Sequence, residues 1–380
     1  MQNKSLNANS NGHMYTPMSQ IDKIVERSIA SGGYPGAVIL ASHQNEIIYQ
    51  GVFGNLRVKP DVAAMQFDTI FDLASLTKVI VTTTAIMQLA EKGKLTINDL
   101  AHSYWPEFSG HNKENITIKE LLTHTAGFPA IVPRSHLSNK EEVLRWVERS
   151  ELVFTPNTHF IYSDIGFLTL GYIVERITNQ SLDHYAQEYI FGPLGMHDTK
   201  FLPPIELLDR IAPTECINGH LRWGTVHNPT ATAMGGVSGL AGLFSTIHDL
   251  GIFLDCLLAG GRVPDKQATQ SSYQYILLPS SVKEMTTVQS PATIPEKRGL
   301  GWDINSIPHG GGRGKLFSPY AFGHTGFTGT SMWVDPITNS WLIILTSRLH
   351  PVYDPNAKQI YEDRSAIADI IAGNVERVVK

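Results

Sequence analysis

The sequence has little of what marks several protein classes. It contains two cysteines, Cys216 and Cys256, and neither suggests a disulfide framework or a thiol–zinc site. Cys256 lies inside the apolar run LGIFLDCLLAG, so we expect it to be a small buried hydrophobic residue. The histidines His220, His227 and His248 have no tight metal-ligand spacing, which argues against a zinc hydrolase. The sequence therefore predicts a protein that uses no metal and no other cofactor.

Charge of one sign and long apolar runs are also scarce. The formal net charge is −5, and no basic run would follow a phosphate backbone, so we expect no nucleic acid partner. No segment is apolar over the ~20 residues that a membrane helix needs. The opening MQNKSLNANSNGHMYTPMSQ lacks the basic start and apolar stretch of a secretory signal. As written, the sequence predicts a soluble cytoplasmic protein; a periplasmic or secreted location follows if the chain is a mature form.

The order of helical and strand patterns along the chain indicates its organisation. The β-rich runs in PGAVILASHQNEIIYQGVFG flank a turn and predict a hairpin. Helical patterns follow, including SNKEEVLRWVERS, where Ser138 and Glu141 have capping-box spacing. Strand patterns return in RGLGWDI, AFGHTGFTGTSMWVDP and SWLIILTSRLH, before a final helix in QIYEDRSAIADIIAGNVERVV. Strands therefore lie at both ends of the chain, with helices between them.

These patterns predict an α+β fold, an α/β sandwich with an antiparallel sheet formed from both chain ends and flanked by helices. The sheet region comprises residues 21–74 and 291–380, and a mainly helical region, residues 75–290, is inserted between them. Residues 1–20 form a polar N-terminal tail. We expect an active site between the sheet region and the helical region. The sequence carries no signal for the oligomeric state.

A serine and a lysine three residues apart, Ser75 and Lys78, stand in the stretch FDLASLTKVI. The same spacing recurs at Ser280 and Lys283 in LPSSVKEM, where we interpret the pair as an N-cap serine and a surface lysine. Ser75 differs because it opens VIVTTTAIMQLA, a run typical of a buried helix, in which an unpaired ammonium is costly. A desolvated lysine at a helix N-terminus can activate a serine toward acyl carbons. By itself the pair is compatible with catalysis or with a capping serine beside a buried ion pair.

Two distant stretches give this pair a context. FIYSDIGF contains Tyr162 and Asp164, and AFGHTGFTGTS contains the tripeptide that starts at His324. Together with Ser75 and Lys78 they resemble the motifs of the serine β-lactamase and penicillin-binding-protein superfamily, most closely its class C β-lactamase-like esterases, D-aminopeptidases and DD-peptidases. That family carries Ser-x-x-Lys, then Tyr-x-Asn, then Lys-Thr-Gly or His-Thr-Gly, far apart and in this order. LLTHTAGFP, GGVSGLAGLFST and RGLGWDI are also similar to family segments, so the resemblance runs from about residue 20 nearly to the end.

The resemblance implies roles for the reacting groups. Ser75 would be the nucleophile that is acylated, Lys78 would help to activate it, and Tyr162 would relay protons to the leaving group and from water. The backbone N–H groups of Ser75 and Phe327 would form the oxyanion hole. A core tyrosine is the structural alternative for Tyr162, and a second Tyr-x-Asp at Tyr361 shows how common the pattern is. We set Tyr361 aside because it lies in the terminal helix.

The resemblance also implies substrate-binding residues. His324, Thr325 and Gly326 would line the cleft, and Arg348 could face the substrate from the neighbouring strand. A histidine in place of the lysine of most β-lactamases attracts a carboxylate less strongly, which favours esters or peptides over β-lactam antibiotics. Asp164 replaces the usual asparagine and, as a carboxylate, can only accept hydrogen bonds. We expect Asp164 to pair with Lys78 and keep it charged.

These observations predict a serine hydrolase that acts through an acyl-enzyme and cleaves esters or amide and peptide bonds, as an esterase or a D-peptidase of the DD-carboxypeptidase type. Its partner would be a small ester, peptide or β-lactam-like molecule. Three alternatives stay open: a true β-lactamase, an acyltransferase that uses the same site, and a penicillin-binding or ligand-binding module without turnover. Asp164 favours the binding module, whereas the intact set of Ser75, Lys78 and Tyr162 favours catalysis.

Overall fold

The computed structural model describes residues 18–136, 138–263, 274–304 and 312–379. The predicted N-terminal tail lies outside these residues, except for its last three positions. The strands are β1 (Gly36–His43), β2 (Glu46–Arg57), β3 (Ala63–Ala64), β4 (Phe71–Asp72), β5 (Lys200–Phe201), β6 (Cys216–Ile217), β7 (His220–Leu221), β8 (Leu243–Ser245), β9 (Phe322–Thr325), β10 (Ser331–Asp335) and β11 (Ser340–Thr346).

The helices alternate with these strands along the chain. They are α1 (Ser19–Ala30), α2 (Thr84–Glu91), α3 (Ile118–Leu122), α4 (Lys140–Arg149), α5 (Asp164–Thr178), α6 (Leu182–Ala186), α7 (Gly192–Leu194), α8 (Pro229–Ala233), α9 (Ile247–Leu258), α10 (Pro279–Met285) and α11 (Gln359–Val379). Lys78–Thr83 and Gln187–Phe191 are short π-helices, and four 3₁₀ turns span Ala101–Ser103, Pro106–Phe108, Arg134–His136 and Ile205–Arg210. No helix of the described residues combines the length and the apolar character needed to cross a bilayer.

The main sheet joins the two ends of the chain, as the sequence predicts. Its six strands have the order β3-β2-β1-β11-β10-β9, and every neighbouring pair is antiparallel. The predicted hairpin is formed by β1 and β2, whose turn places Gln44 and Asn45 at left-handed φ values of 52° and 65°. Strand β1 then pairs with β11, with Val38 opposite Leu345. The predicted α+β fold is therefore confirmed.

Helices cover both faces of this sheet, so its central strands are buried throughout. All eight residues of β1 are buried, and successive side chains point to opposite faces. Ile39 packs with residues of α1 and α11 in one core cluster, whereas Val38 and Leu40 belong to the large core that includes α2, α5 and α9. This large core carries the turn that holds Ser75.

Three local predictions are wrong, for the caps of α4 and α10 and for the strand in RGLGWDI. The N-cap of α4 is Asn139, whose side chain accepts from the N–H of Glu142 at 2.9 Å, while Ser138 donates to the Glu142 carboxylate. Helix α10 has Leu278 at its N-cap position, and Ser280 lies in its first turn. RGLGWDI forms isolated bridges rather than a strand, because Gly301 takes a left-handed φ of 80° that interrupts the extended chain.

Candidate active site

Ser75 lies in a tight turn between strand β4 and the π-helix. Ala74 before it has a φ of 47°, a left-handed conformation that alanine keeps only when its surroundings impose it. The N–H groups of Leu76 and Lys78 donate to the carbonyls of Leu73 and Ser75, both at 3.1 Å, and begin the helix. Ser75 stays partly exposed and lines a cavity of about 300 Å³. The turn therefore presents the serine at the wall of a cavity of ligand size.

Lys78 is fully buried one helical turn after the serine. Its Nζ lies 3.2 Å from Ser75 Oγ, 2.8 Å from Asp164 Oδ1 and 2.9 Å from the carbonyl oxygen of Leu240. An ammonium has three N–H donors, so these three acceptors use all of them. The contact with Asp164 is the pairing that the sequence predicts.

The pKa of Lys78 shows which of two opposing effects is larger. Burial lowers the pKa, but the carboxylate of Asp164 and the phenol of Tyr162 raise it by more, and the net shift is upward from the ordinary value. Lys78 is therefore an ammonium at neutral pH, with no lone pair for a proton. In this resting state it is a hydrogen-bond donor to Ser75 and cannot act as its base.

Replacing Asp164 by alanine should cost about 3–5 kcal/mol of the free energy of unfolding near neutral pH, because a buried ammonium loses its carboxylate. In the wild type the pKa of Lys78 is raised. The contribution of the pair to the free energy of unfolding therefore stays constant with pH up to the pKa of a lysine in the unfolded chain. In the variant burial lowers the pKa, so below about 10.4 the unfolded chain binds more protons and stability rises with pH. Urea unfolding should show the difference between the two proteins shrinking between about pH 7 and about pH 9.5.

An exposed ion pair supplies the control for this experiment. Glu107 lies 3.7 Å from Arg176 with half of its side chain exposed, so Glu107→Ala should change stability by less than about 0.5 kcal/mol at both pH values. A loss in the Asp164 variant that stays the same at both pH values would contradict a charged, paired Lys78.

Tyr162 and Asp164 reach the site from the N-terminus of α5. Ser163 caps this helix and its own N–H donates to His124 Nδ1 at 3.1 Å. The ring of Tyr162 lies 4.5 Å from the ring of His124 and 5.2 Å from Lys78 Nζ, measured to ring centroids. Its hydroxyl is buried and makes no hydrogen bond to any described residue. His124 thus contacts both the backbone of Ser163 and the ring of Tyr162.

His324 lies on β9 and is buried. Burial, together with the charges of Arg298 and Lys78, holds the pKa of His324 well below its ordinary value. The neutral ring donates from Nδ1 to the carbonyl of Thr325, 2.9 Å away. This bond leaves Nε2 as an acceptor. His324 therefore supplies no positive charge to the cavity.

The turn after β9 packs directly against the serine turn. A side chain at Gly326 would meet the Leu73 carbonyl oxygen at 2.5 Å, so only glycine fits there. Thr325, Gly326 and Phe327 all line the cavity with Ser75. Among the described residues, neither the N–H of Ser75 nor that of Phe327 donates a hydrogen bond. Two residues of the cavity wall therefore have a backbone N–H without a partner among the described residues.

Arg348 lies behind this turn rather than in the cavity wall. Its Nε donates to the carbonyl of Phe327 at 2.7 Å, and its guanidinium lies 4.7 Å from the centroid of the Phe327 ring and 5.3 Å from that of Tyr353. The cavity is lined by other residues. Arg348 is therefore placed to hold Phe327, and direct contact with a substrate stays a prediction.

Several residues that line the cavity are missed by the sequence analysis. Arg298 and Arg364 are both buried there. Arg298 lies 3.4 Å from Asp303, whereas Arg364 donates to the carbonyls of Thr330 and Gly326 and pairs with no described carboxylate. Burial lowers the pKa of Arg364 to about 9. Arg298 directly precedes GLGW, and this position in the sequence could have indicated that it belongs to the site. The sequence of α11 contains nothing that separates Arg364 from an ordinary helix residue.

Asn228 caps α8 and donates to Asp164 Oδ2 at 3.2 Å, so it holds the carboxylate that pairs with Lys78. The dipeptide Asn-Pro is typical of a helix start, so the capping role of Asn228 could have been predicted from the sequence. Tyr361, which the sequence analysis sets aside, also lines the cavity, together with Phe160.

A larger cavity of about 560 Å³ lies beside β9 and α10 and is mostly apolar, with Lys283 at its wall. It contains none of the predicted site residues. Within the described parts of the chain, no group of three histidine, cysteine or acidic side chains is arranged to hold a metal. The chemistry that the sequence predicts therefore centres on the smaller cavity.

Known proteins of similar sequence identify the family. A family model described as Beta-lactamase matches residues 21–364. A protein of Escherichia coli K12, provisionally named a D-alanyl-D-alanine carboxypeptidase, is 32% identical over 377 residues, which cover 89% of this chain and 84% of that protein.

Solved structures are similar at lower sequence identity. The β-lactamase/D-alanine carboxypeptidase of Pseudomonas syringae has a TM-score of 0.72 at 18% identity and covers 93% of this chain and 97% of its own. EstCE1, described as a hydrolase with promiscuous acyltransferase activity, has a TM-score of 0.72 at 20% identity. The match covers 92% of this chain and 98% of the EstCE1 chain. At these identities the likeness concerns the fold.

Proposed function

The chain belongs to the beta-lactamase family of hydrolases, and from this premise we propose that it is a serine hydrolase that forms an acyl-enzyme on Ser75 and cleaves ester or peptide bonds. The contact between Ser75 Oγ and the buried Lys78 ammonium, 3.2 Å apart at the wall of the cavity, carries the proposal. A serine that only capped a helix would need neither a buried lysine nor a cavity.

Tyr162 is the group proposed to move the proton. Lys78 is an ammonium and donates to Ser75, so the serine hydrogen must go to another acceptor. The hydroxyl of Tyr162 makes no hydrogen bond to a described residue and its ring stands 5.2 Å from Lys78 Nζ. A phenol can take a proton on oxygen while it gives up its own, so it stays neutral before and after the transfer.

The proposed reaction has two balanced halves. Ser75 Oγ attacks the carbonyl carbon, its hydrogen passes to Tyr162, and the hydrogen of Tyr162 goes to the departing amine or alcohol as that bond breaks. Water then attacks the acyl carbon, gives one hydrogen through Tyr162 to Ser75 Oγ, and releases the acid. The free N–H groups of Ser75 and Phe327 would hold the negative oxygen in both halves, which is worth about 3–4 kcal/mol per donor in other acyl-transfer enzymes.

A peptide that ends in a D-residue with a free carboxylate is the proposed preferred substrate, beside short-chain esters. The curated relative from E. coli carries a provisional carboxypeptidase name. His324 is neutral and Asp164 neutralises Lys78, so the positive charge available to a carboxylate comes from the buried arginines. Asp303 offsets part of the charge of Arg298. This leaves Arg364 as the main proposed contact, by charge-assisted hydrogen bonds.

The test compares four substrates with wild type and Ser75→Ala: a short-chain p-nitrophenyl ester, a chromogenic cephalosporin, an acylated peptide ending in D-alanyl-D-alanine, and the same peptide as its C-terminal amide. We expect serine-dependent cleavage of the ester and of the acid peptide. The acid should exceed its amide in kcat/KM by about 10- to 100-fold, the worth of a hydrogen bond to a charged group.

Other outcomes redirect the assignment. A clear preference for the cephalosporin would make the protein a β-lactamase, and equal cleavage of the acid and amide peptides would remove the carboxylate contact. Activity on none of the four above the Ser75→Ala blank would favour a binding module.

A further inference from the structure

Asp72, three residues before the serine, is a buried carboxylate that forms no ion pair with any described residue. Its Oδ1 accepts the N–H of Ala74 at 2.8 Å, and its Oδ2 accepts the N–H of His227 at 2.7 Å. Burial raises its pKa above the ordinary range. A buried carboxylate is costly, so its retention beside the serine calls for a physical reason.

The first hydrogen bond fixes the strained residue before the nucleophile. Ala74 holds a left-handed φ of 47°, and a non-glycine residue keeps such a conformation only when the surrounding structure imposes it. The bond from the Ala74 N–H to Asp72 Oδ1 spans two residues and closes this turn. The direction in which the Ser75 side chain leaves the backbone depends on the same turn.

The second hydrogen bond reaches the lysine through a neighbouring segment. Arg222 donates to the carbonyl of His227 at 2.8 Å, and the N–H of His227 donates to Asp72, so the backbone of His227 is held on both sides of its Cα. The next residue, Asn228, donates to Asp164. Asp72 is therefore connected, through the backbone of His227 and the side chain of Asn228, to the carboxylate that pairs with Lys78.

A third contact runs from the backbone of Asp72. Its carbonyl oxygen accepts the hydroxyl of Thr328 at 2.6 Å, and Thr328 directly follows Phe327. The segment that carries the unused Phe327 N–H is thereby attached to the same residue. One aspartate thus contacts the serine turn, the segment of Asn228 and the turn of Phe327.

We propose that Asp72 is a positioning residue for the nucleophile, which sets Ser75 Oγ against the Lys78 ammonium and the two free N–H groups. This inference rests on the proposed function, because it assumes that Ser75 is the nucleophile. It assigns Asp72 no contact with substrate. Because Ser75 Oγ holds the acyl group against the two N–H donors in both halves of the reaction, a misplaced Ser75 should slow acylation and deacylation together, and so lower kcat without changing the affinity for substrate.

The test replaces Asp72 by asparagine, which keeps the size but turns one N–H donor toward an N–H of the backbone. We expect kcat with the p-nitrophenyl ester to fall about 10- to 100-fold, as small displacements of reacting groups do, with KM changed by less than about threefold. Rates are expressed per serine titrated with a fluorophosphonate, so that unfolded protein does not count.

Asp335 provides the control, because it is also buried and accepts two backbone N–H groups, from Ser318 at 2.7 Å and Ile337 at 3.0 Å, at the far end of β10. It also accepts the hydroxyl of Ser318 at 2.7 Å. Asp335→Asn should lose comparable stability and keep kcat. Thr328→Val is a second variant, which tests the third contact alone, because it removes the hydroxyl that donates to the backbone carbonyl of Asp72 and keeps the shape of the side chain. It should lower kcat by about threefold or more even if Asp72→Asn does not fold.

The outcomes separate this inference from the proposed function. If Ser75→Ala is inactive while Asp72→Asn and Thr328→Val keep wild-type kcat per titrated serine, the positioning role is refuted and the nucleophile stands. The role is also refuted if Asp335→Asn lowers kcat as much as Asp72→Asn does. If Ser75→Ala is as active as the wild type, the proposed function itself fails.

Discussion

Replacing Ser75 by alanine is expected to lower kcat/KM for the ester by about 10⁴-fold or more, since removal of a covalent nucleophile leaves only binding and the oxyanion donors. The fold should persist. Ser75 Oγ is one of three acceptors of Lys78, and Asp164 and the carbonyl of Leu240 remain. Steady-state kinetics together with a thermal unfolding curve measures both quantities.

The chain contains its own control for this substitution. Ser280 and Lys283 repeat the spacing of Ser75 and Lys78 in α10, but both are exposed. Ser280→Ala should therefore leave kcat/KM within about twofold of the wild type. If both serine variants retained activity, the nucleophile would have to be another residue.

Replacing Tyr162 by phenylalanine is expected to lower kcat by about 10²- to 10⁴-fold, the range for a lost general acid–base group. Stability should change little. The hydroxyl makes no hydrogen bond to the described residues, and the ring keeps its contacts with His124 and His324. Lys78 loses the contribution of Tyr162 that raises its pKa, but it keeps the pairing with Asp164. Pre-steady-state acylation rates and urea unfolding separate the two effects.

Tyr185 is the matched control for Tyr162. It lies in α6 and is buried, and its hydroxyl also lacks a partner among the described residues. Tyr185→Phe should keep full activity. If Tyr162→Phe kept full activity as well, the proton would have to move through another group, and the assignment of Tyr162 would be wrong.

The fold was readable from the sequence because both ends carry strand patterns and the middle does not. The hairpin of β1 and β2 is encoded locally, in two β-rich runs around a turn at Gln44 and Asn45. That β1 pairs with β11 is not local, but the prediction follows because one sheet is the economical way to bury both apolar ends. The wrong details, such as the cap of α4, depend on which of two adjacent polar residues reaches the backbone.

The candidate site was readable only in part, since its motifs name residues but not their contacts. The pairing of Lys78 with Asp164 could be predicted because a buried ammonium requires a partner. Arg364 could not, because it reaches the cavity from a helix that follows β11 and carries no motif. Asp72 was equally hidden: a carboxylate that binds backbone N–H groups leaves no pattern of side chains to recognise.

The two serine–lysine pairs show why spacing alone was not sufficient. Around Ser75 the helix is buried, so Lys78 is forced into contact with the serine and Asp164. Around Ser280 the same spacing lies on an exposed turn, and Lys283 is exposed. Burial, which follows from the apolar run after Ser75, separates the two.

The central claim is that Ser75 carries the acyl group, and intact-protein mass spectrometry tests it most directly. Wild-type protein is mixed with the p-nitrophenyl ester, quenched with acid during turnover, weighed, and digested to locate the modified peptide. We predict the added mass of one acyl group on the peptide that contains Ser75, and none in Ser75→Ala. An acyl group on another residue, or turnover by the wild type and Ser75→Ala alike with no adduct, would contradict the account.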